Sequence, residues 1–187
     1  MPSRNFTLTG YQTLAPLYSG TRTLVYRAFR TNDKQLVAIK VLRSKYPSFS
    51  ELVQFRNQYT IAKNLSLPGI IETYSLEPYQ NSYALVMEDF GGIPLNEWMQ
   101  QGETAPTLGE FLQVAIDLSD TLDILYRQRI IHKDIKPANI LINPHTKKVK
   151  LIDFSIASLL PRETQTLMNP NVLEGTLGYL SPEQTGR

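Results

Sequence analysis

The stretch Ile131-His132-Lys133-Asp134-Ile135-Lys136-Pro137-Ala138-Asn139 decides the reading of this chain. It sets an acid, a base and an amide within six residues, between a long amphipathic run and a short apolar one. Fourteen residues beyond Asn139 stands Asp153, inside Leu151-Ile152-Asp153-Phe154-Ser155 at the end of another short apolar run. These residue types suit phosphoryl transfer. Asp134 can accept a hydroxyl proton, and Lys136 can neutralise charge on the moving group. Asn139 and Asp153 offer hard oxygen ligands to Mg²⁺.

Upstream of that loop, residues 107–127 carry Leu108, Phe111, Leu112, Ala115, Leu118, Leu122, Leu125 and Tyr126 at helical spacing, which predicts one apolar stripe on a long helix. Thr107 with Glu110 three residues on is a capping-box pattern. Residues 95–100 read as a short helix, and Phe90-Gly91-Gly92 breaks the pattern before it. Further upstream, residues 11–18, 24–30, 35–42, 70–76 and 83–88 read as strands, with a polar turn at 31–34. One helical period, over 48–65, interrupts them, with Ser48 or Ser50 as its cap and Leu67-Pro68-Gly69 at its end. Val37-Ala38-Ile39-Lys40 places a lysine inside an apolar strand. A buried lysine needs a partner, and nucleotide phosphate is an adequate one. Downstream, two short β-like runs, 140–143 and 149–152, flank a polar turn, and residues 155–187 show no sustained period.

Composition narrows the function classes. The chain has 187 residues, 42% of them apolar, so a packed core is expected. With no cysteine it holds neither a disulfide scaffold nor a thiolate nucleophile, and two histidines cannot make a multi-histidine metal centre. A net charge of +2 is too small to argue for nucleic-acid or membrane-surface partners, and neither is expected. No apolar run is long enough to span a bilayer, and the N-terminus lacks a signal-peptide core, so a cytoplasmic location is expected.

VAIK, HKDIKPAN, the Asp153-Phe154 pair and Ser181-Pro182-Glu183 follow one another in an order, and with gaps, that resemble the protein kinase family over almost the whole chain. The resemblance implies an α+β, two-lobe kinase fold. Residues 1–90 would form a complete β-rich N-lobe with one helix, and 91–187 an incomplete helical C-lobe that stops after the activation segment. It implies ATP and Mg²⁺, with Ser/Thr side chains of protein substrates as acceptors. Lys40 would hold the α- and β-phosphates. Asp134 would be the catalytic base, and Lys136 the γ-phosphate lysine typical of Ser/Thr-directed kinases. Asn139 and Asp153 would bind the metal. Gly20 would lie in the phosphate loop, Val25 and Ala38 would pack on adenine, and the hinge at Glu88 to Phe90 would hydrogen-bond it. Residues 153–183 would be the activation segment, with Thr176 near Asp134 and Lys136. The ending GTLGYLSPEQTGR resembles the kinase segment of bacterial hybrid Ser/Thr–histidine kinases, which implies downstream sensor or histidine-kinase modules.

The departures from the family pattern are specific. Tyr18 and Thr23 stand where the phosphate loop ordinarily has its outer glycines. Gln58, eighteen residues after Lys40, stands where a glutamate is expected. Lys133 replaces the arginine before the catalytic aspartate, and Ser155 replaces the glycine after Asp153-Phe154. These imply an alternative: a catalytically weak pseudokinase or ATP-binding regulatory module.

Overall fold

The structure, a computed structural model, describes residues 6–100, 106–160 and 174–185, with 183 and 185 described by backbone alone. The chain falls into two compact units, Met1–Leu65 with Ile71–Phe90, and Ser66–Ile70 with Gly91–Arg187.

Among the described residues, the first unit is a five-stranded antiparallel sheet with one helix. Its strands are β1 (Tyr11–Ser19), β2 (Thr23–Arg30), β3 (Leu36–Leu42), β4 (Thr73–Tyr79) and β5 (Ser82–Glu88), in the order β1-β2-β3-β5-β4. Edge strand β1 carries Pro16 and two register shifts, as befits a position where one side needs no ladder donors. Strand β3 is buried from Val37 to Val41. Its side chains alternate. Val37, Ile39 and Val41 join Tyr26, Ala28, Ala84 and Val86 in one core, against which Phe6 stacks on Tyr26. The intervening Ala38 and Lys40 take the other face. Helix α1 (Phe49–Ala62) contacts β4 and β5 and reaches Lys40 through Gln58. Its start is the Ser48/Glu51 capping box. It ends at Ala62, sooner than the helical period over 48–65 suggested.

A second difference concerns the strand expected at 70–76. Strand β4 begins only at Thr73, because Ile70 makes a parallel bridge to Leu151 and Gly69 accepts the Leu151 N–H at 2.7 Å. The segment Ser66–Ile70 therefore packs with the second unit.

In that unit β6 (Ile93–Pro94) leads directly into the four-residue helix α2 (Leu95–Trp98), and α3 (Leu108–Arg127) follows. Helix α3 starts on the Thr107/Glu110 capping box. The strands β7 (Ile130–Ile131), β8 (Ile140–Ile142), β9 (Val149–Leu151) and β10 (Ser158–Leu159) pair as β6-β8-β9 and β10-β7. The buried line of α3 runs through Val114, Thr121 and Leu125. This corrects the expected stripe: Leu108, Phe111, Leu112 and Tyr126 are exposed. Their 3.6-residue spacing is real, but it marks a face rotated from the one that β7 and β9 contact. Part of the unpatterned stretch expected at 155–187 falls outside the described residues; the described part forms β10 and two 3-10 turns, Leu177–Tyr179 and Pro182–Thr185.

Candidate active site

In the first unit, antiparallel pairing sets Lys40 of β3 opposite Val25 of β2 and Leu85 of β5. The lysine is buried, and its Nζ donates to Gln58 Oε1 at 2.8 Å. Gln58 is itself buried on α1. Ala38, two residues before Lys40 on the same face, pairs with Arg27 and Met87. At the end of β5 the Glu88 N–H donates to Glu72 O at 2.9 Å, within the same unit. The neighbouring Asp89 receives a two-pronged ion pair from Arg27, with Nε to Oδ2 at 2.5 Å and Nη2 to Oδ1 at 3.1 Å. Nothing in the sequence spacing marked that pair.

The turn between β1 and β2 is closed by Gly20 N–H donating to Thr23 O at 2.9 Å. Arg43 Nη1 donates to Gly20 O at 2.9 Å and braces it from β3's end. The Tyr18 ring lies against Gly20 so closely that a Cβ there would sit 2.6 Å from it. Tyr18 thus occupies the space that a glycine at its own position would leave open.

In the second unit, Asp134 is the centre of a closed cluster. Its Oδ1 accepts the Thr176 hydroxyl at 2.7 Å. Its Oδ2 pairs with Lys136 Nζ at 2.7 Å and accepts Asn139 Nδ2 at 2.8 Å. Lys136 Nζ also donates to Thr176 Oγ1 at 2.6 Å, so the threonine hydroxyl accepts from the lysine and donates to the carboxylate. Asn139 Nδ2 also donates to the Asp134 backbone oxygen at 2.9 Å. Burial pushes the Asp134 carboxyl up, but the hydrogen bonds from Lys136 and Thr176 with the lysine's charge outweigh it, leaving the group below the usual carboxylate range.

His132 holds this loop from below. Its Nδ1 accepts the Asp134 N–H at 3.2 Å, which fixes the proton on Nε2, and Nε2 donates to Ile152 O at 3.0 Å. Phe154 meets the ring edge-on, 4.8 Å between centroids. Burial keeps the imidazole neutral by lowering its pKa, against the opposing pull of the Ile152 carbonyl and the Asp153 and Asp134 carboxylates. Asp153 Oδ1 is buried, and both Asp153 and Lys133 sit at φ +67. Non-glycine residues in this left-handed region cost about 1–3 kcal/mol each and gather at functional sites.

The structure therefore brings Asp134, Lys136, Asn139 and Thr176 into direct contact, with Asp153 close enough to act on the same histidine. Lys40, Gly20, Val25, Ala38, Glu88 and Phe90 belong to the first unit. The site residues that spacing did not reveal are Glu174 and Gln184, which bind Lys133: Nζ to Glu174 Oε2 at 2.7 Å, and Lys133 O to Gln184 Nε2 at 3.0 Å. No short motif signals them, since each contact spans forty or more residues. The Glu183 side chain lies outside the described residues.

Residues 11–187 match the family model described as a protein kinase domain. The chain is 34% identical over 176 residues to the serine/threonine-protein kinase PrkC of Bacillus subtilis, covering 93% of this chain and 26% of that protein. It is 34% identical over 155 residues to the serine/threonine-protein kinase PknB of Mycobacterium leprae, covering 79% and 24%. It is 30% identical over 190 residues to the serine/threonine-protein kinase PknA of Mycobacterium tuberculosis, covering 98% and 43%. The chain spans about a quarter of the length of the first two of these relatives.

Proposed function

Because the chain belongs to the protein kinase family, we propose that it carries the catalytic segment of a serine/threonine protein kinase, which moves the γ-phosphoryl group of ATP to a Ser or Thr hydroxyl of a protein substrate. The observation that carries this reading is the Thr176 hydroxyl, held at 2.7 Å from Asp134 Oδ1 while Lys136 caps its oxygen. A substrate hydroxyl presented to the same carboxylate would find a base within proton-transfer distance. As the acceptor oxygen bonds to phosphorus, the bond to ADP breaks and the hydroxyl proton passes to Asp134. Lys136 offsets charge on the group in transit.

The donor set fits Mg²⁺. Asn139 spends its amide nitrogen on Asp134, which leaves the amide oxygen as a hard ligand. The Asp153 carboxylate is the second. When bound, the ion neutralises phosphate charge. Lys40 would take the α- and β-phosphates. Gly20 would lie over the phosphates, Val25 and Ala38 against adenine, and Glu88 and Phe90 would supply backbone contacts to it. On this reading residues 1–90 are the kinase N-lobe and 91–187 part of the C-lobe, with Ser66–Ile70 packed on the latter. The larger protein would be a cytoplasmic signalling kinase, extended by sensor or histidine-kinase modules. Among the described residues no helix is long and apolar enough to cross a membrane.

A second reading, a weakly catalytic ATP-binding regulatory module, is favoured by the neutral Gln58 amide where Lys40 meets α1 and by the Tyr18 ring against Gly20. Phosphotransfer by the full natural chain with ATP and Mg²⁺ separates the two. The kinase reading expects protein phosphorylation that Asp134→Ala abolishes. Nucleotide binding without Asp134-dependent transfer would favour the regulatory module.

A further inference from the structure

We propose that Gln184 is a positioning residue for the transfer reaction, latching the segment that bears Thr176 onto the backbone of the catalytic loop. The proposal rests on the kinase reading above and adds a residue to it.

The Gln184 amide is used at both ends. Its Oε1 accepts from Ser181 N–H and from Ser181 Oγ, each at 3.2 Å. Its Nε2 donates to Lys133 O at 3.0 Å and Glu174 O at 3.3 Å. An amide has two hydrogens and two lone pairs, so this side chain works at capacity. The carbonyls it joins belong to the residue just before Asp134 and to the residue two before Thr176. Gly175 lies between them at φ +124, where a Cβ would come within 2.9 Å of Lys133 O and 2.5 Å of Leu180 Cδ2. The segment thus presses directly on the loop. The Lys133–Glu174 ion pair crosses the same junction at 2.7 Å, but Glu174 is 42% exposed, and such pairs contribute little alone. The part-buried amide is the stronger tie.

Lys133 sits in the left-handed region, so surrounding contacts must hold the backbone that aims its carbonyl. Gln184 binds it, and through that bond the backbone entering Asp134 is fixed relative to the backbone entering Thr176. Only a side chain that donates twice and accepts twice serves here. A carboxylate would face two carbonyl oxygens, and an aliphatic group would leave both without their donor.

The test compares the full natural chain with its Gln184→Glu and Gly175→Ala variants. Gly175→Ala pushes the segment off the loop with Gln184 intact, so it stands in if Gln184→Glu fails to fold. Both variants are expected to lower kcat about tenfold while KM for ATP stays at the parental value. Amide hydrogen exchange over residues 174–180 should quicken, with exchange over residues 36–42 unchanged. Parental kcat in the variants overturns the positioning role, whatever the exchange shows. A fall in kcat matched by a proportional loss of folded protein also overturns it. A parent chain without Asp134-dependent transfer would instead overturn the kinase reading, and the proposal with it.

Discussion

The ammonium of Lys40 donates to the Oε1 of Gln58 at 2.8 Å, and both side chains are buried between β3 and α1. A neutral acceptor orients the lysine but does not offset its charge, so it attracts the ammonium less strongly than a carboxylate would. Gln58→Glu adds that charge at the same reach. We expect it to tighten ATP binding or raise turnover by several-fold, read as KM and kcat. Unchanged values in both would show that the ion pair is not what limits the site. Gln58→Leu removes a buried acceptor and should cost about 1–3 kcal/mol in denaturant unfolding.

The Asp134 cluster supports a prediction on catalysis. Asp134→Asn keeps the shape but replaces the base with an amide, and transfer should fall by about 10²–10⁴. Thr176→Val removes the hydroxyl that joins Asp134 to Lys136. It should lower kcat by less, with ATP affinity unaltered. A Thr176→Val enzyme more damaged than Asp134→Asn would contradict the assignment of roles.

Acid should weaken the second unit through His132 and Asp134. Burial lowers the His132 pKa, so the unfolded chain binds a proton that the folded one refuses. That contribution to stability is complete above the ordinary histidine value of about 6.5 and is lost as pH falls from there through the folded pKa. Protonation would also place a hydrogen on the Nδ1 that accepts the Asp134 N–H. Asp134 is depressed as well, but from the carboxylate range, so its contribution is present above about 3.9 and is lost only in stronger acid. Urea midpoints should therefore fall between pH 7 and 5, and His132→Asn should flatten that slope. A slope unchanged by the substitution would remove His132 as its source.

What was legible in the sequence follows from period and local chemistry. Buried strands such as β3 and the two capped helices declare themselves within ten or twenty residues, because alternation and caps are local. The loop from Asp134 to Asn139 was legible for the same reason: Asp134, Lys136 and Asn139 are neighbours in sequence and bond one another, although Asp134 and Lys136 also reach Thr176 some forty residues on. Features that depend on distant contacts were not legible. The buried face of α3 depends on what packs there, and several apolar side chains at correct spacing turn outward instead. The delayed start of β4 depends on Leu151, some eighty residues away, recruiting Gly69 and Ile70. Gln184 meets Lys133 across fifty-one residues, a distance over which no motif has meaning.

Gly69 provides the sharpest test of how the second unit is built. Its carbonyl accepts the Leu151 N–H at 2.7 Å, while the position of its missing side chain points at α3. A Cβ there would lie 1.8 Å from Thr121 Oγ1 and 2.9 Å from Thr121 Cβ. Thr121 is buried and its hydroxyl donates to Asp117 O at 2.9 Å, so it has little freedom to turn aside. Gly69→Ala must then shift the backbone, straining the Leu151 bond, or displace α3. Overpacking of this kind costs about 1–3 kcal/mol. Adding Thr121→Ala removes the oxygen but keeps the 2.9 Å Cβ contact, so only part of the loss should return. Urea unfolding of the two single variants and the double variant measures the coupling. Strictly additive losses would mean that Gly69 and Thr121 do not press on each other, and that another constraint selects glycine at the point where Ser66–Ile70 joins the second unit.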